Sequence, residues 1–436
     1  MILRVLAILA FGLAFQFAYS SYLHPTFEYA HFRNTPLSLL HHALNQLLIV
    51  APAFLMRDRQ TPAAFGIALL YVIVYIPGQI MVPRMLNQVY FPTLAIQFAL
   101  AASMALLAFM SGIGVKEDVE KEPVDGNMSF IILVLTVPCL LAMIATNIQH
   151  MRLVAFSDVY DLRAESSQTA QIPILAYTNL WLGYCFLPFY LARGIFYRQF
   201  HYFALGCAGC VLIYLATGAK AQIALPFIML GIHLVSRKKL LTLTTIATLN
   251  LALVSLCLII PDESTFTWFK SLYLMRTLGT GGWTMSTYYE FFSTYGVTYY
   301  SHINGMSRIV GAYPYGAYSM GQMIGLEYSG SEVANFNANF WASDGFGALG
   351  IFGIPVITVA VGLTMIAINR LSSFYEARFV SIWLIGFWLA LLNLPFSTAM
   401  LSGGGLITLI ILATVRMQGL ATRARSAPTS FRPAPR

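Results

Sequence analysis

Three stretches of this sequence hold the residue types that could carry chemistry. The first, 149–170, mixes His150, Arg152, Asp158, Tyr160, Asp161, Arg163 and Glu165. The second is the turn Thr217-Gly-Ala-Lys220-Ala-Gln222, with one isolated cation. The third runs from 262 to 350, with ten of the 24 tyrosines, three of the six tryptophans, and only Lys270, Arg276 and Arg308 as basic residues. A guanidinium fork matches phosphate oxygens, so Arg152, Arg163, Arg276 and Arg308 fit a diphosphate, and Lys220 would add a point charge. An acceptor hydroxyl needs a base within hydrogen-bond reach, and Glu290, His302, Asp344 and Asp158 are of the right type. Aromatic faces at Tyr313, Tyr315 and Tyr318 beside the amides Asn304, Gln322, Asn335, Asn337 and Asn339 suit sugar rings, which offer apolar faces and a hydroxyl rim.

Each feature also has a plainer reading. Mixed charges beside a membrane commonly form a solvated loop, and a lone Lys between short spans anchors at the interface. Tyr288, Phe291, Phe292, Tyr295 and Tyr299 fall on one helical face, a stripe expected to pack on the bundle or lie in the interface. A single His in an aromatic loop is most often structural. His41, His42, Asn45 and Gln46 sit in one span, where polar residues serve mainly to join helices. No zinc, Walker or dinucleotide motif occurs, and Gly403-Gly-Gly405 lacks the Lys and strand of a phosphate loop. No metal or cofactor is implied. The five cysteines all lie in apolar runs, and Cys207-Ala-Gly-Cys210 reads as small hydrophobes rather than a redox pair.

The elements that must position these residues follow from composition. The chain has 436 residues, 58% hydrophobic and 10% charged, against about 25% charged in a soluble domain. Repeated apolar runs of about 20 residues match a bilayer-crossing helix, and backbone groups in lipid force helices where the alternation of a barrel is missing. The expected fold is an all-α polytopic membrane protein with about twelve spans: 2–22, 37–56, 63–83, 91–114, 129–148, 171–192, 203–217, 222–236, 240–261, 350–369, 380–401 and 405–418. Residues 1–420 form one domain including the 262–350 loop, and 421–436 is a basic, disordered tail. Placing both termini in the cytoplasm puts 17 of the 25 basic residues inside, as the positive-inside rule favours. The net charge of +8 therefore reports topology, not nucleic-acid binding. All three chemical stretches then lie on the extracytoplasmic side.

Four segments carry a resemblance to a known family. Asp158-Val-Tyr160-Asp-Leu-Arg163 is similar to a segment ending in Tyr-x-x-Arg, and Thr217-Gly-Ala-Lys220-Ala to a short Gly-Ser-Arg/Lys turn. Residues 335–350, with Asn335, Asn339, Asp344 and Gly350, resemble an Asn…Asp-x-Tyr…Gly-x-x-Gly approach to the next span. Pro395-Phe-Ser-Thr…Ser402-Gly resembles the closing helical pair. Together they resemble bacterial surface-polysaccharide polymerases of the O-antigen polymerase (Wzy) and oligosaccharide-repeat-unit type. Lys220 in place of Arg, and Phe346 in place of Tyr, depart from that pattern.

The resemblance implies a GT-C-like, metal-independent glycosyltransferase of the bacterial inner membrane with a periplasmic active face. It would move a nascent glycan from polyprenyl diphosphate to the non-reducing end of a new lipid-linked repeat, with a chain-length regulator and a flippase as partners. Arg163, Lys220, Arg276 and Arg308 are then assigned to the two diphosphates, and Asp158 and Asp344 to acceptor positioning. A ligase joining finished glycan to another acceptor shares the donor chemistry. A flippase or transporter fits the span count, but needs charge through a central cavity, and here polarity gathers at one surface.

Overall fold

The computed structural model describes residues 1–86, 90–115, 121, 124, 126–149, 151–153, 173–262, 264, 266–303, 305–330, 336 and 340–426. Among them the chain is helical with no strand, a polytopic helical membrane architecture. The first helices are α1 (Ile2–Thr26), α2 (Leu39–Phe54), α3 (Pro62–Met85), α4 (Tyr90–Met110) and α5 (Gly126–Asn147). Next come α6, built from Pro173–Trp181, a π-helical Leu182–Phe186 and Leu187–Phe196, then α7 (Phe200–Thr217), α8 (Lys220–Val235) and α9 (Leu243–Ile259). Helix α10 joins Thr267–Ser271, the π-helical Leu272–Gly279 and Thr280–Tyr295. The remainder is α11 (Ser307–Val310), α12 (Met320–Ser329), α13 (Trp341–Leu349), α14 (Gly353–Leu371), α15 (Ala377–Trp383), α16 (Ile385–Asn393), α17 (Phe396–Leu401) and α18 (Gly405–Ser426).

Among the described residues seven helical stretches are long and apolar enough to cross a membrane, and α2, α8 and α9 are shorter apolar helices. Local chemistry sets their ends. Ser38 and Thr61 accept from the backbone N–H three residues on, capping α2 and α3, and Pro62 opens α3. Gly218 and Gly330, both left-handed, close α7 and α12. The apolar window of α3 is 89% buried against 28% for α5, which makes α3 the centre of the bundle. A Cβ on its Gly66 would lie 2.6 Å from the Trp388 ring, so only glycine lets α16 approach there.

Helices α13 and α14 form one apolar stretch by composition, yet the chain reverses between them. Gly350 has φ +62° and ψ −147°, a region reserved for glycine. The Trp341 indole N–H then donates to the Thr358 hydroxyl at 3.1 Å. A Cβ at Gly353 would sit 1.7 Å from the Gly345 carbonyl oxygen. In a straight helix residues 341 and 358 would be about 25 Å apart, so α13 is a half-length helix folded back on α14. It carries Asp344.

Most of 264–279 and 286–300, both inside the expected extracytoplasmic stretch, is helical. The structure joins them as α10, laid against α3: a Cβ on Gly282 would meet Met81 at 2.7 Å and one on Gly281 would meet Val74 at 3.0 Å. The aromatic stripe divides accordingly. Tyr288, Phe291 and Phe292 are buried, whereas Tyr295 and Tyr299 are exposed.

Candidate functional site

Asp344 lies in the first turn of α13, where the helix dipole favours a carboxylate. It has no exposed surface, and among the described residues neither oxygen has a hydrogen-bond partner. His302 Nε2 stands 3.3 Å from its Oδ1. The other ring nitrogen, Nδ1, is 2.8 Å from the Thr298 hydroxyl. The loop holding His302 is clamped to α13 by backbone bonds from Thr298 N–H to Gly347 O (2.9 Å) and Tyr299 N–H to Ala348 O (2.8 Å). Tyr299 and Tyr300 both adopt positive φ, 51° and 63°, a conformation uncommon for bulky residues.

The Tyr300 hydroxyl is buried without a partner. Burial, and then the nearby Asp344 charge, push its pKa up to about 12. A carboxylate and an imidazole in contact, with a hydroxyl on the far ring nitrogen, can orient a ring and share a proton. Sequence reasoning named His302 and Asp344 separately; folding brings them together. Thr298 and Tyr300 carried no spacing signal and were missed.

Glu290 has a different setting. Its Oε1 is 2.5 Å from Arg33 Nη1, and its Oε2 accepts from the Tyr328 hydroxyl at 2.6 Å. Both oxygens are therefore engaged, and the group straps the segment after α1 to α10 and α12. Burial and the bond to Glu290 raise the Tyr328 pKa above its usual range. Trp283 strengthens the strap by donating to Ala30 O at 3.0 Å and stacking on Phe32 with centroids 6.0 Å apart.

Arg308 is exposed on α11, six residues beyond His302, and Arg276 is exposed on the π segment of α10. Arg276 is fourteen residues from Glu290 along α10, roughly 21 Å by helical rise. No hydrogen bond or ion pair among the described residues links it to the Asp344 cluster. Lys220 opens α8 after the Ala219 N-cap, two residues past Gly218. The Arg152 backbone N–H donates to Leu215 O at 3.3 Å, so these two predicted cations gather at the end of α7. The tyrosine run packs rather than standing open: Tyr315 donates to Gly296 O at 2.5 Å, its ring lies 5.4 Å from Phe291, and Tyr313 lies 5.6 Å from Tyr315. Asp158, Tyr160, Arg163, Asn335 and Asn339 lie outside the described residues. Comparison of the chain with protein-family models, curated proteins and solved structures gave no match.

Proposed function

We propose that this chain is a membrane glycosyltransferase that polymerises lipid-linked oligosaccharide repeat units. In this reading twelve helical segments span the bacterial inner membrane in a GT-C-like arrangement, both termini are cytoplasmic, and 262–350 works at the periplasmic face. The observation that carries the reading is the Asp344–His302 pair, a fully buried carboxylate on a half-length helix folded into an apolar bundle, met by an imidazole from the neighbouring loop. Ionisable groups in such a setting are costly and mark function by default.

The acceptor hydroxyl oxygen attacks the anomeric carbon of the nascent glycan. The bond from that carbon to the diphosphate oxygen breaks, and its electron pair leaves with polyprenyl diphosphate. The hydroxyl proton passes to His302, which Asp344 positions. Arg308 and Arg276 meet the charge that develops on the leaving diphosphate. His302 Nδ1 lies on the Thr298 hydroxyl at 2.8 Å, so proton uptake at that nitrogen requires this contact to give way.

The test is the size profile of surface glycan in a deletion strain. Loss of a polymerase leaves single repeat units on their normal anchor. Loss of a ligase leaves long chains on the polyprenyl carrier. Full-length chains on the normal anchor would overturn both.

A further inference from the structure

A cavity of about 390 Å³ opens between the start of α3, the segment after α4 and the turn from α14 to α15. Two cations, Arg59 and Lys121, line it, with Asp58, Thr61, Asn369 and Ser373 in its polar wall. Arg59 is half-buried. Its Nη1 donates to the Gly112 carbonyl at 2.8 Å, just past α4. Lys121 is exposed, and its Nζ donates to the Ser373 carbonyl, past the end of α14, at 2.7 Å. A guanidinium has five N–H donors and an ammonium three, so each cation keeps donors beyond these bonds.

The carboxylates at this cavity are already engaged. Asp58 is 2.6 Å from Arg4 Nη2, and Glu376, next to the lining residues Tyr375 and Ala377, is 3.5 Å from Arg378 Nε. Among the described residues no carboxylate pairs with Arg59 or Lys121. Glu120 and Glu122 flank Lys121 in the sequence and lie outside the described residues, so Arg59 is the primary cation and Lys121 the second. Thr61 is 8% exposed. Its oxygen caps α3 by accepting from the Ala64 N–H at 3.2 Å, and its own proton has no acceptor among the described residues. Asn369 is turned to the backbone, accepting from Ala63 N–H at 3.3 Å and donating to Ser111 O at 2.9 Å. The positive end of the α3 dipole adds to the same field. Basic residues at a span end commonly reach out to headgroups, and Arg57, Lys238 and Lys239 at this end of the bundle are exposed as that role requires. Arg59 and Lys121 are instead tied by carbonyls to the wall of a cavity.

We infer that this cavity binds a phosphate group, gripped by the Arg59 guanidinium fork, with Lys121 as second charge and Thr61 as hydroxyl donor. A soluble phosphate ester and a lipid headgroup share that chemistry. The site stands apart from Asp344 and Glu290. From Pro62 to Arg84, α3 covers roughly 33 Å by helical rise; only there does Arg84 O accept from the N–H of Thr35, two residues past the Arg33 that pairs with Glu290. On the topology proposed above, the cavity faces the cytoplasm, opposite the transfer chemistry. Its binding is measured without turnover and does not depend on that reading.

The experiment is a thermal-midpoint titration of the full-length chain in phosphatidylcholine nanodiscs, with pyrophosphate against sodium chloride of equal ionic strength. A second arm places phosphatidylglycerol in the disc. Pyrophosphate should raise the midpoint saturably. Arg59→Gln should weaken the apparent affinity about tenfold, the effect of removing one hydrogen bond to a charged group, and Lys121→Met should weaken it less. Arg57→Gln, an exposed neighbour, should match the wild type. Affinity is read from the titration itself, so a lower starting stability does not obscure it. Where Arg59→Gln fails to accumulate, Lys121→Met decides. If phosphatidylglycerol raises the midpoint through Arg59 and abolishes the pyrophosphate response, the bound phosphate is a lipid's; if the response persists, it is a soluble ligand's. No saturable response in either arm, Arg59→Gln and Lys121→Met both binding as the wild type does, or Arg57→Gln as harmful as Arg59→Gln would overturn the inference.

Discussion

Trp341 reaches back across a chain reversal to donate its indole proton to Thr358, 3.1 Å away. This contact defines the hairpin of α13 and α14 and places Asp344 inside the bundle rather than in the loop above it. The enclosure depends on Gly350, whose φ of +62° pairs with a ψ of −147°. Gly350→Ala should therefore destabilise by about 1–3 kcal/mol. Gly330→Ala provides the comparison: at φ +64° and ψ +13° it is left-handed helical and should cost about 1 kcal/mol. Thermal midpoints in detergent would check the order. Equal midpoints would remove the argument for a backbone-determined reversal.

Asp344 and His302 should behave as a coupled pair. His302→Phe leaves a carboxylate with no exposed surface and no hydrogen-bond partner. Breaking one side of such a pair costs about 3–5 kcal/mol, whereas replacing both sides with apolar groups is often neutral. The double variant His302→Phe/Asp344→Leu should recover most of the stability lost by the single one. A double-mutant cycle on unfolding measures the coupling, and strict additivity would show that the two groups do not interact. Glycan elongation should be lost in His302→Phe, in Asp344→Leu and in the double variant, whatever their stability.

Tyr300 provides a pH test. Its pKa is pushed up from 10.0 to about 12, first by burial and then by the Asp344 charge. A group whose folded pKa is raised contributes stability that is fully present below the unfolded value, and loses it as pH rises through the folded value. The wild type should thus lose stability between pH 10 and 12 by more than Tyr300→Phe does. Below pH 10 the variant should match or slightly exceed the wild type, because the hydroxyl it removes has no partner. Denaturation at stepped pH reads both effects. An alkaline limb identical in the two proteins would refute the assignment.

Much of the scaffold was legible in the sequence because membrane burial imposes long apolar runs. Among the described residues helix occupies most of each expected segment, but seven stretches meet the length and apolarity of a span, and 380–401 is broken at 384 and at 394–395. The reversal at Gly350 was not legible: the expected span starts at 350 and leaves α13 in the 262–350 loop, whereas α13 is apolar and folds back on α14. Site residues were found by type but not by partner. Glu290 and His302 both read as base candidates, and nothing in their spacing tells that Arg33, 257 positions away, occupies one of them. Nor does spacing show that Asp344 meets the other. Non-local pairing of this kind has no period to detect.

The two exposed arginines make the last prediction, which separates leaving-group stabilisation from general surface charge. Arg308 stands six residues beyond His302 on a short helix, while Arg276 lies roughly 21 Å along α10 from Glu290. If Arg308 meets the departing diphosphate, Arg308→Ala should slow elongation by about 10²-fold or more, the usual cost of one donor aimed at developing charge. Arg308→Lys, which keeps the charge and loses the fork, should recover only part of that. Arg276→Ala should also impair elongation, and because both arginines meet the same diphosphate the double variant should fall short of the product of the two losses. Arg423→Ala, in the basic C-terminal stretch, should have no effect. Chain-length profiles of surface glycan from strains carrying each variant at matched protein level provide the measurement. If Arg423→Ala proves as harmful as Arg308→Ala, the charge acts through membrane placement, and Arg308 is not part of the site.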